Sequence, residues 1–326
     1  MISCFNRSRE RRLERKPLAI SEIVADSLFT SMPGTLSVNS KHLILLCPFD
    51  PKENFLRIYD RQSGDEITRI GAIGVGPGEW ISPELANVVD DKLIIYDINL
   101  KSYLLAGMDN MYRDISIYDF FKKIDVINPL KFVYVDNNRY IVANFNEQTP
   151  FEMVSKGHII PCGKYPFNEY FTNASARFQG HIMMHPHKKI LLYATISNPY
   201  LAMYRIEEDR LDLMWENQFK TPQYSIHENQ LRWDSEHPDG VSAVAFTKDY
   251  IVCLVKDFKS NAIGRDVKAA PKAIYVFDYD GLLIHIFDLA VHSLRLTSDV
   301  VTNIFYCVSL EPDFNIAKYD LATVGL

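Results

Sequence analysis

Chemistry in this chain has to be sought where polar, titratable and aromatic side chains crowd into short spans, and two spans stand out. Residues 221–240 hold Tyr224, His227, Trp233, Asp234, Glu236 and His237, and residues 256–272 hold Lys259, Arg265 and Asp266. Aromatics among mixed charges are the usual means of holding a polar small molecule or a peptide, so Tyr224, His227, Trp233, Asp234, Glu236, His237, Arg265 and Asp266 form the candidate ligand-binding set. Both spans exceed ordinary connection lengths, and long ordered connections are often functional. The plainer alternative is two surface loops that pack on each other. Asp234 and Glu236 could share general acid and base roles, but two carboxylates on one loop fix no separation.

A second group is HIMMHPH, with His181, His185 and His187. Alternate residues of a strand share a face and imidazole is a common metal ligand, so His181 and His185 are the candidate metal ligands. Pro186 puts His185 and His187 across a turn, which favours solvated histidines over a metal, and the spacing is not that of a helical H-E-x-x-H zinc site. The glycine-rich stretch RIGAIGVGPGEW misses the G-x-G-x-x-G spacing of a dinucleotide cradle. It also lacks the Lys-Ser/Thr that ends a P-loop. No G-x-S-x-G elbow is present, so a hydrolase nucleophile of that type has no anchor. No catalytic residue is assigned.

The elements that must position these side chains are β-strands. The 18 Tyr and 19 Phe favour sheet over a helix bundle. A net charge of −6 gives no broad attraction to nucleic acid. No apolar run approaches the roughly 18 residues that span a bilayer. Of five cysteines, Cys47, Cys253 and Cys307 lie in apolar runs and read as core residues. Cys4, in MISC before an arginine-rich stretch, looks like the lipidated cysteine of a bacterial lipoprotein signal whose apolar part would lie upstream. The expected location is therefore the cell envelope if the start is shortened, with Cys4 as the membrane anchor, and the cytoplasm otherwise. The stretch RSRERRLERK carries six Lys and Arg against two Glu, and residues 1–16 read as a basic tether.

A repeat organises the rest. A polar turn followed by a short apolar run occurs as KHLILLC, DKLIIYD, NRYIVAN, KKILLYA, KDYIVCL and TNIFYCV, spaced about 50 residues apart. Each follows another strand-like run (TLSVNS, ELANVV, KFVYV, HIMM, VSAVAFT, LRLTSDVV), and most precede a third and a fourth. Four antiparallel strands per unit make a propeller blade. The expected fold is therefore all-β, a single six-bladed β-propeller over residues 17–326. The sixth unit lacks a fourth strand, and PLAISEIV (17–24) is expected to supply it, closing the ring and hiding two sheet edges. The glycine-rich stretch falls between the last strand of one unit and the first of the next, so it is expected to be a blade-to-blade crossing.

GAIGVGPGEWISP followed by LIIYDINLKSYLL resembles an NHL-type repeat, and DGVSAVAFTKDYIVCLV, AIYVFDYDGLLIHIFDL and NIAKYDL are similar to the six-bladed TolB-like propellers. That resemblance implies the fold and an envelope lipoprotein of unassigned function; it offers no catalytic signature. The leading expectation is a non-enzymatic, monomeric binding propeller without a cofactor, taking a small molecule, glycan or protein on its loop-rich face. The competing expectation is a calcium-type or other divalent-metal hydrolase or lactonase at the channel mouth. Calcium lactonases of this fold use inner-strand carboxylates and amides, for which Glu84, Asn87 and Asn39 are available but form no recognisable set.

Overall fold

A computed structural model of the chain describes residues 13–28, 30–49, 54–76, 79–86, 88, 92–107, 122–126, 128–257 and 269–326. Six antiparallel sheets stand radially around one axis. Their innermost strands are Leu36–Val38, Pro83–Leu85, Lys131–Asp136, Gly180–Met184, Val241–Phe246 and Ser293–Ser298, for blades one to six. From each, the chain meanders outward strand by strand, as in blade four: Gly180–Met184, Ile190–Thr195, Tyr200–Ile206 and Leu211–Gln218.

The six runs that marked the repeat are the second strands, and their unbroken apolarity has a physical cause. A second strand is covered by a neighbouring blade on both faces, so it has no solvent side on which polar residues could alternate. In blade one, Leu43 and Leu45 pack with Tyr306 and Val308 of blade six, while Ile44 and Leu46 pack with Leu93 and Ile95 of blade two. All four are fully buried, each stabilising the fold by about 1.5–3 kcal/mol. Cys47, Cys162, Cys253 and Cys307 are buried free thiols, as expected for the three named from sequence; Cys4 lies outside the described residues.

The ring closes as expected at blade six but with a different use of the N-terminal run. Glu22–Ala25 pairs antiparallel with Asn315–Asp320 and supplies the missing fourth strand. Arg15–Leu18 is a separate strand, parallel to Leu283–Leu289, that adds a fifth strand to blade five. The stretch 17–24 is thus divided between two blades. Pro17, which has no N–H to donate, is tolerated because its strand is the outermost. Arg15, counted above with the tether, bonds the carboxylates of Asp257 and Asp288.

The glycine-rich stretch is a crossing from blade one to blade two. Ala72–Ile73 and Glu79–Trp80 form a two-residue parallel pair. Trp80 is fully buried, its ring edge-on to Phe55 at 5.9 Å. Gly71 has φ +80°, and a Cβ there would lie 2.2 Å from the Phe55 ring, so both its backbone and its contact require glycine. The Glu79 carboxylate accepts the Gly76 N–H at 2.7 Å, occupying one of the donors that a cradle would present.

Candidate functional site

The long connection between blades four and five folds into a hairpin of its own, Tyr224–His227 with Gln230–Trp233. Glu228 and Asn229 turn it, both with positive φ, the backbone a two-residue hairpin needs. The hairpin lies on the connection between blades three and four: the Asn173 side chain donates to the Leu231 carbonyl (2.9 Å) and accepts the Leu231 N–H (3.0 Å).

Of the residues proposed from sequence as a ligand set, the structure brings Tyr224, Trp233 and His237 together. Trp233 stacks on His237 at 3.9 Å, and Phe167 closes on Tyr224 at 5.0 Å. His237 Nδ1 accepts the Gln223 N–H and Nε2 meets the Ser197 carbonyl, both at 2.9 Å. Burial pushes the His237 pKa down, so the ring is neutral near pH 7. His227, Asp234 and Glu236 stay exposed on the same loop. Arg265, Asp266 and Lys259 lie outside the described residues. What the hairpin presents is a packed aromatic stack with its imidazole nitrogens occupied.

His181 and His185 sit at opposite ends of the innermost strand of blade four. His185 is buried, and its Nδ1 accepts the N–H groups of His187 (3.1 Å) and Lys188 (3.2 Å), tying down the turn after the strand. Its ring lies 5.2 Å from Phe246 and 5.9 Å from Tyr279, and this burial lowers its pKa to about 4. Among the described residues, no three His, Cys, Asp or Glu side chains come close enough to hold a metal.

His181 leads instead to the central channel, a cavity of about 750 Å³. Because strand side chains alternate, every second residue of an innermost strand faces the axis. At the end where the crossings arrive, each blade contributes one polar residue to the lining: Thr35, Glu84, Lys131, His181, Ser242 and Arg295, for blades one to six. The next layer toward the far mouth is small or apolar, with Ser37, Ala86, Met183, Val244 and Thr297. At the far mouth, Asn39 is committed to a turn, its Oδ1 accepting the N–H groups of Lys41 (2.9 Å) and His42 (2.7 Å). Asn87 lies outside the described residues.

The polar ring is asymmetric. Thr35 donates its hydroxyl to the Glu84 carboxylate at 3.3 Å. Arg295 reaches from blade six to blade one and donates Nε–H to the Gly34 carbonyl at 2.9 Å, with an Nη1 bond to the Leu294 carbonyl at 3.2 Å. These bonds use two of the five guanidinium donors. Burial lowers the Arg295 pKa, and Glu84 acts against that. His181 is held down to about pKa 4, first by burial and then by the charges of Lys131 and Arg295. Its Nε2 is enclosed without a hydrogen-bond partner among the described residues. The ring therefore carries two cations, one carboxylate and a neutral imidazole, and it can receive a polar ligand by hydrogen bonds and charge.

Sequence reasoning reached Glu84 and His181 but passed over Thr35, Lys131, Ser242 and Arg295. The signal was present: in the six first-strand runs, these six residues occupy the first or second place, one column of polar side chains opening each blade.

Similarity to known proteins bears on the fold. A Bacteroides fragilis NCTC 9343 protein described as exported superposes with a TM-score of 0.58 at 14% identity, over 94% of each chain. A member of the DUF4221 family from Bacteroides vulgatus ATCC 8482 gives 0.57 at 9% identity, over 94% of this chain and 96% of that one. A calcium-binding protein, regucalcin, from Agrobacterium tumefaciens C58 gives 0.55 at 8%, over 94% and 95%. No curated protein sequence matches the chain. The family described as TolB-like 6-blade propeller-like matches residues 14–316, nearly the whole chain, and the protein belongs to that family.

Proposed function

We propose that this chain is a non-enzymatic binding propeller of the bacterial cell envelope, which takes a small molecule or glycan into its central channel at the face where the blade-to-blade crossings arrive. One observation carries the reading: a ring of six polar side chains, one from each blade, around the mouth of a cavity of about 750 Å³. That volume lies within the usual range for small-molecule sites, about 300–1,000 Å³. Polar groups that converge on a cavity with few protein partners are what orients a ligand there. The envelope location is supported by the exported Bacteroides protein of the same fold. Lipidation of Cys4 is its proposed means of anchoring.

The ring disfavours the metal-hydrolase alternative. A divalent cation needs several oxygen ligands, mostly carboxylates, converging on one point. Glu84 is the one carboxylate in the ring, and the charges of Lys131 and Arg295 act against a cation beside it.

The test is a thermal-shift panel of neutral and acidic sugars and small organic acids, with EDTA-treated protein in parallel. At least one compound is expected to raise the Tm of the native protein. Ser242→Trp, which places bulk in the mouth, should abolish that rise while leaving the unliganded Tm nearly unchanged. A panel without any shift, or a shift that survives Ser242→Trp, overturns the channel as the site. A lactonase activity that disappears with EDTA overturns the non-enzymatic reading.

A further inference from the structure

The charges of the ring are sorted around its circumference, and this sorting names a ligand class; the inference rests on the channel being the ligand site. Blades three to six contribute Lys131, His181, Ser242 and Arg295, an arc of donors, whereas blades one and two contribute Thr35 and Glu84, bonded to each other. In a six-membered ring, blades three and six face each other, so Lys131 and Arg295 stand on opposite sides of the mouth with His181 between them. The Lys131 ammonium makes no hydrogen bond or ion pair to any described residue, and Arg295 spends its bonds on carbonyls that hold the guanidinium in place. Two cations across a partly desolvated opening repel each other. A carboxylate between them removes that repulsion and gains two charge-assisted hydrogen bonds.

We infer that the ring receives the carboxylate of a small hydroxy acid, a sugar acid or a simpler organic acid, between Lys131 and Arg295, with Glu84 accepting a hydroxyl of the same ligand. The net charge sets the valence. With His181 neutral, Lys131 and Arg295 against Glu84 leave one positive charge, which matches a monoanion. A phosphate dianion would face Glu84 with its second charge uncompensated. Glu84 also gives the site a reason to discriminate, because an acid without a hydroxyl leaves that carboxylate with only its Thr35 bond. His181 lines the arc, and its imidazole reports the field at the mouth.

The experiment is calorimetric titration of the full chain with galacturonate, lactate, acetate, inorganic phosphate and neutral galactose, with the His181 Cε1–H resonance followed by NMR across pH. The hydroxy acids galacturonate or lactate should bind, acetate and phosphate more weakly. The bound carboxylate should move the His181 titration upward from its low value, since a negative charge offsets the two cations. Lys131→Met should weaken acid binding by about tenfold or more. Because Arg295 also bridges blades six and one, Arg295→Lys, which keeps the charge, serves as its variant and should lose a smaller part of the affinity. Acid binding unchanged in Lys131→Met, or galactose and galacturonate binding alike, overturns the inference. Binding of galactose alone leaves the channel as a site but removes the carboxylate. Failure of every compound removes both.

Discussion

The hairpin at 224–233 lies on a connection between blades and the ring at the channel mouth lies along the innermost strands, and the two differ in how far their polar groups are already used. In the hairpin the imidazole is occupied: both nitrogens of His237 are bonded, its face is covered by Trp233 and Asn173 pins the strand beneath, although the enclosed Trp233 Nε1 has no hydrogen-bond partner among the described residues. In the ring, the ammonium of half-buried Lys131 is paired with no described residue, and the enclosed His181 Nε2 has no hydrogen-bond partner among them. Side-chain chemistry alone does not mark a binding site. Unspent hydrogen-bonding capacity facing a cavity does, because buried polar groups are ordinarily satisfied and those that are not call for a partner.

That contrast breaks if the hairpin can be damaged without cost to stability. Trp233→Ala removes the ring that covers His237, Phe178 and Tyr224, and the loss expected in denaturant unfolding is about 3 kcal/mol. Ligand binding at the channel should be untouched. If Trp233→Ala instead left stability unchanged and abolished binding of an acid or sugar, the roles of hairpin and ring would be reversed.

The two histidines on the innermost strand of blade four sharpen the contrast through pH. His185 has a folded pKa of about 4, below its ordinary value of 6.5. The unfolded chain therefore binds a proton between these values that the folded chain refuses, and stability falls as pH drops from about 6.5 toward 4. The lowered pKa of His185 implies a loss of up to about 3 kcal/mol at the low end. His185→Asn, whose side-chain oxygen can still accept the N–H groups of His187 and Lys188, should make that slope shallower, leaving the share of His181, whose pKa is also lowered to about 4. A slope identical in native protein and variant would place the acid sensitivity elsewhere.

The smallest effect is expected in the ring. Lys131→Met removes a charge that no described residue pairs, so the unfolding free energy should change by less than about 0.5 kcal/mol. A large destabilisation would mean that Lys131 serves the fold rather than a ligand.

Much of the fold was legible because its cause is local. LILLC and YIVCL announce second strands, since a strand enclosed on both faces has no polar side to show. Asp97, in the Tyr-Asp pair at the end of one such run, has a carboxylate that accepts four backbone N–H groups, from Ile81, Ser82, Asn99 and Leu100. It anchors the crossing, a reason for acid at that point of the repeat. The division of 17–24 between two blades was not legible, since its residues suit either edge. Nor was the packing of half-buried Trp233, because a Trp on a long loop reads the same whether it meets a ligand or Phe178. His181 stood out only as one of three histidines close in sequence, while its neighbours in the ring, Lys131 and Arg295, lie far from it along the chain.

What the sequence determined by itself is the number of units, their strands and the burial of the second strands, because each follows from residue types and spacing within one unit. Which six residues share the channel mouth was decided only by tertiary structure. Thr35 and Arg295 become neighbours because the ring closes, and closure depends on Glu22–Ala25 pairing with Asn315–Asp320, a contact between the two ends of the chain. The charge at the axis is the sum of one residue from each blade, a quantity that exists only once the blades face a common centre.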